Sequence, residues 1–144
     1  MAEKKHTPIA SLGQFAFVDR LCAPFAPSNP STVKGCGDDA AVIDAGDKYM
    51  LFTTDLLLEG VQFDLTYFPL QPLGYKAVVA GISDILAMNG TPRQVTLALG
   101  ISSRFSVETV EQLYEGVRYA CRDYKVDLAG GDMSASVNGL TIAV

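Results

Sequence analysis

Five aspartates stand where a chain could do chemistry: Asp38 and Asp39 in Gly35-Cys-Gly-Asp-Asp-Ala-Ala41, Asp55 closing Thr53-Thr-Asp, Asp132 closing Gly130-Gly-Asp, and Asp84 inside an apolar segment. Carboxylates and hydroxyls without histidine or cysteine partners suit Mg²⁺, which takes hard oxygen ligands, commonly one or two carboxylates plus phosphate oxygens and water. Glycines beside them allow backbone N–H groups to approach a phosphate. The combination predicts a divalent-metal and phosphate site.

Each segment also has a plainer reading. Gly and Asp are ordinary turn residues, which would account for Gly37-Asp-Asp39 and Gly130-Gly-Asp132. Thr53-Thr-Asp55 could simply end a strand. Asp84 is harder to dismiss, because a carboxylate in an apolar helix is costly unless paired or metal-bound. Lys76, about two helical turns away, is the alternative partner. Adjacent side chains on a strand point to opposite faces, and the register into Ala40-Ala-Val42 selects Asp39 over Asp38 as the ligand. Glu59, His6 and Glu111 have no evident partners and read as solvated surface.

These residues need elements to hold them. Leu12, Phe15, Val18, Leu21 and Cys22 recur at helical spacing, so a helix is expected over 11–22 with Ser11 as its N-cap, broken by Pro24, Pro27 and Pro30. Runs at 39–43 and 49–55 predict a hairpin, with Asp39 opening one strand and Asp55 closing the next. Residues 60–70 show no clear period and stay undecided between strand and loop. A largely buried helix is expected over 73–88, stopped by Asn89-Gly90, then a strand over 94–101. Ser106 caps an amphipathic helix whose apolar side includes Val110, Leu113, Tyr114 and Val117, with Phe105 as its staple. Segments 126–129 and 140–144 are strand-like, around the turn-forming Asn138-Gly139. The order implies an α/β fold of α+β sandwich type, one mixed sheet covered by helices, with residues 1–144 as a single domain.

Bulk properties remove several classes. A net charge of −5 with eleven scattered Lys and Arg leaves no electrostatic footprint for nucleic acid. An acidic chain that binds an anion such as ATP requires bridging cations. The stretch 73–88, broken by Lys76 and Asp84, falls short of the roughly 20 apolar residues of a membrane span. No secretory apolar core follows the N-terminus, so a cytoplasmic location is the default. Three cysteines without C-x-x-C spacing read as reduced thiols, and Cys36 lies among acids where a nucleophile would need a basic neighbour. No P-loop or dinucleotide fingerprint occurs. Val144 falls within an apolar run, as in a piece of a longer protein.

Phe17-Val-Asp-Arg-Leu21, Lys34-Gly-Cys-Gly-Asp-Asp-Ala-Ala41, Thr53-Thr-Asp-Leu-Leu-Leu-Glu-Gly60, Tyr75-Lys-Ala77, Ser83-Asp-Ile-Leu-Ala-Met-Asn-Gly90 with Pro92, and Gly130-Gly-Asp132 together resemble the N-terminal domain of thiamine-monophosphate kinases. That family shares a fold group with aminoimidazole ribonucleotide synthetase, selenophosphate synthetase and HypE. The resemblance implies ATP-dependent phosphorylation of thiamine monophosphate to thiamine diphosphate with several Mg²⁺ ions. It implies metal ligands at Asp39, Thr53, Thr54, Asp55, Asp84 and Asp132, nucleotide contacts at Tyr114, Gly131 and Asp132, and a substrate contact at residue 62. It also implies a homodimer in which two sheets join into a barrel, and a second domain, absent from this chain, that completes the kinase. The chain departs from the family's pattern at Gln62, where His is usual, at Gly81, where Asn is usual, and at Met133-Ser134, where Thr-Thr is usual. The alternatives are another ATP-using enzyme of the group, or a non-catalytic dimerisation or binding module that retains the fold.

Overall fold

The computed structural model describes residues 6–144, which divide into two compact units at Phe52/Thr53. In the first unit, a short 3-10 turn Ile9–Ser11 precedes helix α1, Gln14–Cys22. The helix starts later than its apolar spacing suggested. Gly13 takes φ +76°, a conformation that interrupts the helix, while the Ser11 hydroxyl donates to the Pro8 carbonyl at 2.7 Å instead of capping. Strands β1 (Thr32–Lys34), β2 (Ala41–Asp44) and β3 (Tyr49–Phe52) form an antiparallel sheet in that order. The expected hairpin is β2–β3, with Ala41 opposite Phe52 and Asp44 opposite Tyr49. Asp39 lies two residues before β2, and Asp55 lies beyond β3, so the hairpin is shorter at its open end than expected.

The second unit is built on a mixed sheet ordered β4 (Leu56–Leu58), β7 (Leu140–Ala143), β5 (Gln94–Ile101), β6 (Asp127–Ala135). The β4–β7 and β7–β5 pairs are antiparallel, whereas β5 and β6 are parallel and joined through helix α3, Val107–Tyr124. Such a parallel pair needs a crossover, and the amphipathic helix supplies it. The Ser106 side chain accepts from Thr109 N at 3.3 Å, the predicted cap. Helix α2 spans Leu70–Ala87, beginning earlier than expected. Pro72 is tolerated because it lies in the first turn, where a backbone donor has no helical acceptor. Asn89 ends the helix in a left-handed conformation, φ +57°, with Gly90 N donating to Ile85 O at 2.8 Å. Residues 60–69 form turns rather than a strand.

Alternation places Val95, Leu97 and Leu99 of β5, Leu140 and Ile142 of β7, and Leu57 of β4 against Leu73, Val78 and Ile82 of α2 and Leu113 and Val117 of α3. The expectation of a mixed sheet covered by helices therefore holds for this unit. The opposite face carries Leu56 and Leu58, 54% and 37% exposed. The helices cross on glycine. A Cβ on Gly74 would stand 1.9 Å from the Leu113 carbonyl oxygen, and one on Gly116 would stand 1.8 Å from that of Gln71. Among the described residues, no helix is long and apolar enough to cross a membrane.

Candidate functional site

In the first unit, Gly37 adopts φ +110°, open to glycine and strained for other residues, and sets the chain direction into Asp38-Asp39. The pair then separates by role. Asp38 accepts from the Lys34 ammonium and from Asp39 N, and the lysine contact first of all holds its carboxyl below the usual range. Both are exposed, and Asp38 is the one whose carboxylate is paired with Lys34. Cys36 lies beside Cys22, whose thiol is pushed up chiefly by hydrogen bonding with it and then by desolvation. A thiol held protonated is a poorer nucleophile.

The second unit brings three predicted ligands together. Thr53 and Asp55 lead into β4, and Asp55 is already paired with β7: its N–H donates to Val144 O at 2.9 Å and its carbonyl accepts from Val144 N at 3.0 Å. Across from it, α2 presents Asp84, whose Oδ2 accepts from Thr53 Oγ1 at 2.8 Å. The Asp55 carboxyl is raised above its ordinary value, first by desolvation and then by the negative charge of Asp84. Thr54, between them, is exposed. Two crowded carboxylates with a hydroxyl between elements, and no ammonium or guanidinium of the described residues paired with them, form a donor set that a hard cation would stabilise. Among the described residues no three His, Cys, Asp or Glu side chains group as a metal cage. Two carboxylates are nevertheless the usual protein share of a Mg²⁺ shell that phosphate and water complete.

Lys76 is not the partner of Asp84. Its ammonium donates to the Gln62 carbonyl at 2.7 Å and lies over the Phe68 ring. Gln62 turns its own side-chain oxygen back to accept from Leu58 N at 2.8 Å, leaving the amide NH₂ as its outward donor. Glu59, read from sequence as unpartnered, is a junction: Oε2 accepts from Leu140 N at 2.8 Å and Oε1 pairs with the Arg104 guanidinium. These contacts join segments far apart in sequence, and no local pattern announces them.

Gly130-Gly131-Asp132 is not a turn but the middle of β6, which runs on to Ala135. The parallel register shifts between Val95 and Thr96, so that Leu128 pairs with Val95 and Gly130 with Thr96. A Cβ on Gly131 would meet the Leu97 carbonyl oxygen at 1.9 Å, which explains a glycine there. Asp132 is exposed and lines a cleft with Tyr114 of α3, Gly130, Gly131 and Met133. Tyr114 also borders the apolar hollow on the Phe105–Val110 side of the same helix. The cleft thus sets one ring, glycine backbone and one carboxylate side by side, a setting suited to a planar base with an attached phosphate.

Residues 37–144 match the AIR synthase related protein, N-terminal domain. Thiamine-monophosphate kinase of Aquifex aeolicus is 34% identical over 128 residues, which is 89% of this chain and 40% of that protein. The kinase of Rhodopirellula baltica is 36% identical over 123 residues, 80% of this chain and 39% of the relative. Among solved structures, AaThiL complexed with AMPPCP and TMP superposes with a TM-score of 0.84 at 31% identity, covering 96% of this chain and 42% of that one. HypE in complex with ATP, 21% identical with a TM-score of 0.58, shares the fold over 81% of this chain and 34% of its own. The chain spans about two fifths of the length of the curated relatives it matches.

Proposed function

The chain belongs to the family of the AIR synthase related protein N-terminal domain, and from that premise we propose that it is the ATP- and Mg²⁺-binding part of a thiamine-monophosphate kinase. The reaction would move the γ-phosphoryl group of ATP onto the phosphate of thiamine monophosphate, giving thiamine diphosphate. The observation that carries this reading is the Thr53–Asp84 contact beside the desolvated Asp55 carboxyl, in a chain similar to a structure holding AMPPCP and TMP.

Asp55, Asp84 and Thr53 would hold Mg²⁺ in the second unit, with Thr54 beside them and Asp132 as a further carboxylate of that unit; Asp39 is the carboxylate that the first unit would offer to a cation. Bound there, the cation neutralises phosphate charge, which phosphoryl transfer chiefly requires besides positioning. The protein's share is orientation. Gly131 seats β6 on β5 and, with the open Gly130 beside it, would present bare backbone to a phosphate, Asp132 stands next to it, and the Tyr114 ring offers a face to the base. Gln62 would donate its outward NH₂ to the thiamine substrate, a hydrogen bond without the charge a histidine could carry. The open sheet face with Leu56 and Leu58 suits a homodimer, and the setting is cytoplasmic. Retention of the fold as a non-catalytic module is the second reading. It is favoured by Gln62, half of whose side-chain amide is committed to Leu58 N, and by Met133, which brings no hydroxyl beside Asp132.

Calorimetric titration of the chain with a non-hydrolysable ATP analogue tests the main reading. Binding is expected only with Mg²⁺ present, and Asp132→Asn is expected to weaken it about tenfold, as loss of one charge-assisted contact commonly does. A folded chain that takes up no nucleotide with Mg²⁺, or takes it up equally without, would sink the proposal.

A further inference from the structure

Asp55 and Asp84 come from different elements, and their separation must be maintained against mutual repulsion. The hydrogen bond from Thr53 to Asp84 supplies one constraint, two residues before Asp55. A second runs the other way round. Asp55 is hydrogen-bonded at both its N–H and its carbonyl to Val144, at 2.9 and 3.0 Å. Val144 in turn packs its side chain onto α2 at Gly81: a Cβ added there would lie 2.5 Å from Val144 Cγ1 and 3.0 Å from its Cβ. Gly81 and Asp84 are neighbours on one helix face at i, i+3. Five links close a ring: the backbone pair Asp55–Val144, the packing of Val144 on Gly81, the helix from Gly81 to Asp84, the side-chain hydrogen bond from Thr53 to Asp84, and the chain from Thr53 back to Asp55.

Resting on the metal site proposed above, we propose that Gly81 and Val144 are positioning residues that set the distance between the Asp55 and Asp84 carboxylates. Neither carries a ligand atom of its own. Gly81 is the seat and Val144 the spacer. Any side chain at 81 lifts Val144, and with it the backbone of Asp55, away from α2, since an approach of 2.5 Å is closer than carbon atoms tolerate. Trimming Val144 to alanine removes the nearest atom and leaves a methyl at 81 facing only the Cβ at 3.0 Å, a contact relieved by a shift of a few tenths of an ångström. The two positions are therefore predicted to be non-additive, the mark of direct coupling.

The test uses Gly81→Ala, Val144→Ala and the double variant in the 144-residue chain. Mn²⁺ affinity is read by electron paramagnetic resonance with a non-hydrolysable ATP analogue present, and exchange of the Asp55 and Val144 amide hydrogens by NMR. Gly81→Ala is expected to weaken Mn²⁺ binding about tenfold, in the range seen when groups that orient metal ligands are altered, and to speed both exchanges. Adding Val144→Ala should recover most of each loss. Trimming Val144 would relieve simple overpacking as well, so Mn²⁺ affinity is compared at a temperature where circular dichroism shows every variant fully folded. Wild-type Mn²⁺ affinity in Gly81→Ala, or a loss that the second substitution leaves in place, overturns the brace. Should the unmodified chain bind no Mn²⁺, the proposed function fails and amide exchange alone decides the brace: unchanged exchange in Gly81→Ala refutes it, and accelerated exchange restored in the double variant upholds it.

Discussion

Asp55 is a residue whose surroundings oppose its charge. Desolvation, with the Asp84 charge added, raises its carboxyl, so in the metal-free chain the folded state holds that proton more tightly than the unfolded state does. The sign follows from linkage: stability is greatest at low pH and is lost as pH rises from the ordinary carboxylate value, about 4, through the raised one. Asp55→Asn is accordingly expected to stabilise the metal-free chain at pH 7. The gain should be below about 1 kcal/mol, since the group is only part-buried and water screens it. In thermal melts the advantage should vanish below about pH 4, and Mg²⁺ should no longer shift the variant's melting temperature; an Asp55→Asn variant less stable at pH 7 than at pH 4 relative to wild type would contradict this. The sequence showed which carboxylates to suspect, because Asp84 is conspicuous among apolar neighbours. It could not show that Thr53 reaches Asp84, that Lys76 turns instead to Gln62, or that Glu59 ties β4 to β7, since those partners are brought together only by the sheet.

Elements were legible where a local chemical stop reinforced the period, Ser11 excepted, since Gly13 displaces the start of α1. Ser106 and Asn89-Gly90 bound their helices where capping predicts, and β5 alternates from Gln94 to Leu99. Legibility failed where tertiary pairing overrides local preference. Two successive glycines read as a turn, yet β6 runs through them because β5 pairs along its length and the shifted register needs a residue without a side chain. The same absence of a side chain sets the helix crossing, where Gly116 approaches the Gln71 carbonyl. Gly116→Ala is expected to cost about 3 kcal/mol, the upper range for overpacking, because a rigid backbone atom rather than a flexible side chain is struck. Urea unfolding followed by circular dichroism measures it, and an unchanged midpoint would show that the helices part freely.

At the scale of the molecule, the chain corresponds to about two fifths of its curated relatives, and its second unit carries both the Asp55–Asp84 pair and a glycine-lined cleft that includes Asp132. The expected outcome in a coupled assay is Mg²⁺-dependent nucleotide binding without turnover of thiamine monophosphate, and turnover once the chain is joined to the remaining part of a relative. Turnover by the isolated chain would place the acceptor site within these residues. The glycine crossing has a mechanical meaning as well. With carbonyl oxygens seated against bare Cα atoms at Gly74 and Gly116, the backbones of α2 and α3 interlock at their crossing with no side chain between them there, which opposes sliding of one along the other. The helix that bears Asp84 and the helix that bears Tyr114 therefore move as one rigid jaw, and whatever flexing accompanies ligand capture has to come from the strands and loops that face it.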